Sequence, residues 1–446
     1  MTSTKTILKQ RIIKDIGNRR NEIITFGESI YKKPETGFKE FATAGLVAEK
    51  LRGLGVSCIE LKDIPGVKAT IDTGREGPGI AILGELDSII CAGHPDCDRE
   101  TGAVHACGHN NQIAAMIGAV AGLLNSGAIK YLSGKIIIIA VPAEEYIEMS
   151  YRKELKERGV IRYLGGKPEF LYRGLFDDVA ICEMIHLFPG NKKVHFCPTA
   201  NGCISKEIRY IGKAAHAGSS PHEGINALYA ANLGLMAINA IRETFREDEF
   251  IRVHPIITKG GDAVNVIPSE VMLETLIRGK SMDAITETNK KVNRALTGSA
   301  IALGAQVEIE DIPGYLPYVQ DKNLSAIVKR AALELVDEGD ISETGHAAFS
   351  TDLGDMSAIM PVMQIYTGGI EGNLHSENYR IKDFDTAYVL GAELLAITAV
   401  ELLWGNAETA LDVISKYKPF FKSRKEYFDF MDGLFSKKVM PSVEFE

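Results

Sequence analysis

Between residues 5 and 31, apolar side chains (Ile7, Leu8, Ile12, Ile13, Ile16, Ile23, Ile24) recur at helical spacing with charges between them. That pattern predicts an amphipathic helix. Residues 37–52 repeat it and stop at Gly53 and Gly55, as helices do. The period then shortens. Stretches 67–73 (VKATIDT) and 79–86 (GIAILGEL) read as strands, and 111–125 as a helix. Residues 135–145 (KIIIIAVPAEE) open on a continuous apolar run of the kind buried on both faces of a sheet, and 179–187 (VAICEMIHL) looks similar. Strands alternating with helices predict an α/β fold with a mixed, largely parallel sheet covered by helices.

Residues 203–312 follow a different rhythm. CISKEIRYIG and FIRVHPIIT alternate, EVMLETLIRG and AQVEIED supply further strands, and helices at 222–245 and 283–303 lie between and after them. The order β-α-β-β-α-β predicts an α+β, ferredoxin-like domain with its sheet covered on one side. After Pro313-Gly314 the first character returns, with a helix at 323–337, a strand at 361–367 and a helix at 384–404. The chain therefore reads as a discontinuous α/β domain (1–200 and 314–446) interrupted by a smaller inserted domain at 201–313. The aromatic, basic tail at 406–446 is expected to be helical and to pack on the surface.

Composition narrows the function. With 45% hydrophobic and 24% charged residues the chain is not disordered. Fifty basic against 59 acidic residues give a net charge of −9 with no basic block, which argues against nucleic acid as a partner. The most apolar helix-length run, 387–404, carries Glu393 and Glu401, so no membrane span is expected. The N-terminal stretch is charged from its start and has no apolar signal core. Seven scattered cysteines, an odd number, suggest reduced thiols and a cytoplasmic protein.

Five constellations carry candidate chemistry. His105-Ala106-Cys107-Gly108-His109-Asn110 places a thiol and an imidazole two apart where a helix opens, able to face one ion or to be a structural pair. Glu144-Glu145 follows the buried strand. There one carboxylate can ligate a metal while its neighbour handles a proton, although a solvated acidic loop has the same spelling. His186 and His375 each follow a strand, and either alone has a plain structural explanation. Asp87, at the end of strand 79–86, can orient a ligating histidine or simply form a turn. Together the set gathers on one rim, and Cys, His and Glu donors suit zinc, manganese, cobalt or nickel rather than calcium or magnesium.

The motifs PETGFKEFATA, LGELDSI, HACGHN, PAEE, MIHLFPG, GKAAHAGSSPHEGINAL, GGDAVNVIP, LIRG, STDLGD and NLHSENY resemble, in this order, the dinuclear metallopeptidase family of aminoacylase, carboxypeptidase G and hippurate hydrolase. The match runs from about residue 30 to 400. Cys-Gly-His-Asn and Ser-Thr-Asp-Leu-Gly-Asp look most like the branch of the B-type subunit of aminobenzoyl-glutamate hydrolase, within the amidohydrolase subfamily that also includes plant indole-acetyl-amino-acid hydrolases. The resemblance implies two divalent metals, manganese or zinc first and cobalt or nickel next, held by Cys107, His109, Glu145, His186 and His375. It implies Glu144 as general base. It implies that the inserted domain is a lid that dimerises, with His216 of AAHAG reaching an active site, its own or the partner's. Asn265 of NVIP and Arg278 of LIRG match positions the family places near substrate, and a turn or a surface ion pair explains them equally.

Two departures stand out. Asn110 occupies a position that is often Asp, so a charge behind the ligands is expected to be missing. Some 40 residues separate Glu145 from His186, with an apparent insertion at 146–164 carrying Arg152, Lys153, Lys156, Arg158 and Arg162 at helical spacing. Such a segment covers the pocket, supplies a cation to an acidic substrate, or is a solvated helical excursion.

The function expected is metal-dependent hydrolysis of a C–N bond in a small molecule, the amide of an N-acyl or N-aroyl amino acid or of a dipeptide. Metal-lowered water pKa would give hydroxide, Glu144 would shuttle the proton to the leaving amine, and a metal with His216 would stabilise the oxyanion. The alternatives are hydrolytic deamination of an aromatic amine and a non-catalytic binding subunit of the same fold. The retained Glu144 speaks against the second of these. A nucleotide-binding protein is disfavoured because no Gly-rich phosphate loop follows the first strands.

Overall fold

A computed structural model describes residues 3–440. The chain divides into two compact units. The first comprises the chain up to Pro198, Val319–His346 and Asp355–Phe420. The second comprises Thr199–Tyr318, Ala347–Gly354 and the chain from Phe421 onward.

The first unit is built on an eight-stranded sheet in the order Cys58–Glu60, Val67–Asp72, Lys135–Val141, Gly79–Glu85, Ile181–Leu187, Val362–Thr367, Val194–Phe196, Ile341–Glu343. Its centre is parallel: Gly79–Glu85 runs with both Lys135–Val141 and Ile181–Leu187, and Ile181–Leu187 runs with Val362–Thr367. The outer pairs Cys58–Glu60 with Val67–Asp72 and Val67–Asp72 with Lys135–Val141 are antiparallel. This is the mixed, largely parallel sheet that the apolar runs predict. Every residue of Gly79–Glu85 is buried, as is Ile136–Val141, because helices cover both faces. Parallel register puts Glu85 opposite Val141 and Tyr366 opposite His186. The carboxyl ends of four neighbouring strands thus share one rim, where ligands of open α/β sheets bind.

Nearly every residue of the helix His109–Asn125 is buried, and it packs with Leu390–Leu403 in one core. The apolar stretch Asp385–Leu403 is long and apolar enough to cross a bilayer by length and composition, but 89% of it is buried, as in a core helix. It opens with a π-helical turn, Asp385–Val389. The amphipathic stretch expected over 5–31 is two helices, Thr4–Asn18 and Arg20–Tyr31. They break at Arg19, whose φ of −93° and ψ of 6° leave the helical region.

The second unit has the β-α-β-β-α-β order read from the sequence. Thr199–Ile211, Ala227–Ile241, Arg252–Val253 with Ile256–Lys259, Glu270–Gly279, Met282–Ala302 and Gln306–Pro313 follow one another along the chain. Its sheet is antiparallel, Glu270–Gly279 alternates buried and half-buried positions, and both helices join one core with it. The tail is not helical throughout. After Glu408–Lys416 and Arg424–Gly433, the strand Ser436–Met440 pairs antiparallel with Gln306–Pro313 and so extends the second unit's sheet.

Candidate metal centre

The rim of the first unit collects the donors. Cys107 and His109 flank Gly108, which has φ 87° at the start of the helix His109–Asn125. A Cβ on Gly108 would stand 2.7 Å from Leu187 Cδ1, so only glycine fits both the left-handed turn and the close approach. Glu144 and Glu145 follow the strand Lys135–Val141 after Pro142 and Ala143, and His186 lies near the end of Ile181–Leu187. His375 sits in a loop at φ 60°, its N–H donating to the Ala106 carbonyl at 2.9 Å, which ties that loop to the Cys107 turn.

These side chains converge. Cys107 Sγ lies 3.4 Å from His186 Nε2 and 3.1 Å from His375 Nε2, and His375 Nε2 lies 2.9 Å from Glu145 Oε1. Two triads, Cys107/His109/His186 and Cys107/Glu145/His375, each bring their donor atoms within 4.8 Å of one another and share Cys107. Glu144, buried, meets the same criterion with His109 and Glu145.

The ring orientations are set from behind. His109 Nδ1 donates to the Asp87 backbone carbonyl at 2.8 Å and is 3.1 Å from Asp87 Oδ1, which leaves Nε2 as the inward nitrogen. Asp87 Oδ2 accepts the Glu145 backbone N–H at 2.8 Å. One buried carboxylate thus holds two of the donors. His186 Nδ1 donates to the Leu187 carbonyl at 2.8 Å, which turns its Nε2 to Cys107.

Charge is strongly organised. Burial and the Glu145 carboxylate push the Cys107 thiol up, but His186, His109 and His375 outweigh them and hold it at about 6. Burial also opposes ionisation of Glu145, yet His375 brings its carboxyl to about 2. Burial works against the His375 imidazolium too, and Glu145 and Cys107 raise it to about 11. A thiolate and a carboxylate are drawn together here with only imidazoles to neutralise them. His109 Nε2 and Glu145 Oε1 are buried; they face Glu85 Oε2 at 3.1 Å and His375 Nε2 at 2.9 Å, but neither contact has hydrogen-bond geometry. Buried donors left in this state fit a cation, and mixed S, N and O donors fit a transition metal.

A further carboxylate escapes the motif reading. Glu85 Oε2 lies 3.1 Å from His109 Nε2 and accepts from Gln112 Nε2 at 2.7 Å. Its Oε1 accepts from the fully buried Lys167 Nζ at 2.5 Å. Its signal in the sequence is position: an acid ending the apolar strand GIAILGE, as Glu144 follows KIIIIAVPA. Position 110 is neutral, as the sequence shows. The Asn110 amide donates to the Gly27 carbonyl at 3.3 Å and to Tyr388 Oη at 2.9 Å, and the charges near His109 come from Asp87 and Glu85.

His216, Asn265 and Arg278 belong to the second unit. His216 is exposed, and its Nδ1 accepts the N–H groups of Gly218 and Ser219, both at 3.1 Å, so the neutral ring carries its proton on Nε2. The Asn265 carbonyl accepts the Ala217 N–H at 3.0 Å, which places Asn265 beside His216. Arg278 pairs in register with Cys203, while His216 lies beyond the Ile211 end of that strand. At about 3.3 Å per residue the two ends are about 25 Å apart, so the second unit does not bring Arg278 to His216 and Asn265.

Asp87→Asn is expected to weaken metal binding about 10–100-fold, the usual cost of losing a carboxylate that orients a ligand. Competition with a chelator would measure it; unchanged affinity would restrict Asp87 to a turn.

Comparison with known proteins places this geometry. The model for peptidase family M20/M25/M40 matches residues 84–401. The chain is 30% identical over 359 residues to the Xaa-Arg dipeptidase of Mus musculus, covering 78% of this chain and 73% of that protein. It is 25% identical over 438 residues to the A-type subunit of p-aminobenzoyl-glutamate hydrolase from Escherichia coli (strain K12), covering 83% and 93%. That relative is the A-type subunit, where the motifs point to the B-type. The YXEP protein of Bacillus subtilis, described as a dinuclear metal binding peptidase, superposes with a TM-score of 0.64 at 21% identity over 87% of this chain and 99% of its own.

Proposed function

The chain belongs to peptidase family M20/M25/M40, and from that premise we propose that it hydrolyses the amide bond of an N-acyl or N-aroyl amino acid or of a dipeptide. The supporting observation is the pair of donor triads joined at Cys107, with Glu144 beside them. Cys107, His109, Glu145, His186 and His375 would hold two divalent metals, manganese or zinc before cobalt or nickel. Bound there, the metals would supply Lewis acidity and lower the pKa of a bound water toward neutrality.

The chain's own groups do the rest. Glu144 takes a proton from the attacking water and passes it to the leaving amine. Asp87 fixes the His109 ring and the Glu145 backbone. His216, with its proton on Nε2, is suited to donate to a tetrahedral oxyanion. Asn265 and Arg278 are assigned to substrate binding. The protein is assigned to the cytoplasm, as a homodimer through the second unit.

The test is elemental analysis followed by a substrate panel. The purified protein should carry about two equivalents of one divalent metal, as the two triads require. Chelation should abolish release of free amine from acyl-amino acids or dipeptides, and the same metal should restore it. Ammonia release from aromatic amines alone would replace this reading with deamination. A metal-loaded protein inert to the whole panel would favour a non-catalytic binding role.

A further inference from the structure

Arg152, in the insertion between Glu145 and His186, is completely buried, although its spacing with Lys153, Lys156, Arg158 and Arg162 suggests a solvated helix. It stands on the helix Met149–Glu157 and points back under the loop that carries Glu144. Its Nη1 donates to the carbonyls of Leu164 (2.6 Å) and Ala143 (3.3 Å), and its Nη2 donates to the carbonyl of Glu145. The guanidinium also lies 5.6 Å from the ring centres of both Phe38 and Tyr146. A Cβ at Gly37 would collide with Nη2, so Gly37 leaves the space this group occupies.

Satisfying an orphan carbonyl accounts for the Leu164 contact but not for the other two. The Glu145 carbonyl already accepts from Ile147 N at 2.9 Å, and the Ala143 carbonyl from Gly166 N at 3.3 Å. What Arg152 adds is a rigid fork that grips the residues on both sides of Glu144. Ala143 stands at φ 58°, a conformation that non-glycine residues seldom hold, with its N–H donated to Glu40 Oε1 at 2.8 Å. The Glu145 N–H is held by Asp87. Glu144 therefore projects from a backbone fastened on both sides.

We propose that Arg152 is a positioning residue for Glu144, and that the 146–164 insertion serves to deliver it. The proposal rests on Glu144 being the general base. The experiment compares Arg152→Ala and Arg152→Lys with the wild type for kcat, KM, bound metal and hydrogen exchange over residues 142–148. For Arg152→Ala, kcat should fall about 100-fold, as expected for a displacement near 1 Å, with KM and metal content unchanged. Millimolar guanidinium should restore part of that kcat, and amides of the loop should exchange faster. Arg152→Lys, which offers a charge without the fork, should fall between the two, and it carries the test should the alanine variant not fold. Wild-type kcat in a variant with full metal content would overturn the proposal. So would a loss, in a variant that folds, that missing metal accounts for. A Glu144→Gln variant that remains active would overturn the base assignment instead, and the proposal with it.

Discussion

Replacing Glu144 with glutamine is expected to lower kcat about 10³-fold, within the 10²–10⁴ range of general-base contributions, while the protein keeps its metal. Glutamine has the same size and still accepts a hydrogen bond, so the loop after Lys135–Val141 should hold its shape. What it cannot do is take up a proton from water and return it to an amine. The triads Cys107/His109/His186 and Cys107/Glu145/His375 do not contain Glu144, so their donors are untouched. Turnover and bound metal must be measured on the same sample. Turnover near wild type at equal metal content rejects the base assignment. Parallel loss of metal and turnover makes Glu144 a ligand, as its place within 4.8 Å of the His109 and Glu145 donors allows.

The convergence of Glu144, Glu145 and His186 is legible because each sits where an apolar run ends, and apolar runs are what sequence periodicity shows best. IIIIAV and ICEMIHL could only be central strands, and their parallel register puts Glu144, Glu145 and His186 on one rim. Less local facts were not legible. Arg152 carries the helical spacing of a solvated face, and nothing in the insertion tells that its guanidinium turns inward to three carbonyls. The strand Ser436–Met440 is short, opens on a serine and two lysines, and pairs with Gln306–Pro313 more than 120 residues earlier. Glu85 lies inside a recognised motif, but its partner Lys167 is 82 positions away, and pairing across such a distance leaves no pattern along the chain.

That pair sets up the second large effect. Lys167→Met is expected to destabilise the protein by about 3–5 kcal/mol, the cost of breaking a buried ion pair by removing one partner. Both side chains are buried, and the Nζ–Oε1 distance is 2.5 Å. Burial pushes the Glu85 carboxyl up, but Lys167, then His109 and His186, bring it to about 2 from an ordinary 4.5. A carboxyl held lower in the folded state stabilises it above pH 4.5, and that contribution is lost as pH falls from 4.5 toward 2. Without Lys167 the folded-state value rises, so the variant's deficit is largest at neutral pH and narrows on acidification. Glu85→Gln added to Lys167→Met removes the stranded charge and should recover most of the loss. The four proteins form a double-mutant cycle, read by denaturant unfolding of metal-free protein at about pH 7 and about pH 5. Additive losses, or a deficit that does not shrink with acid, would show that Lys167 holds the rim by packing rather than by neutralising Glu85.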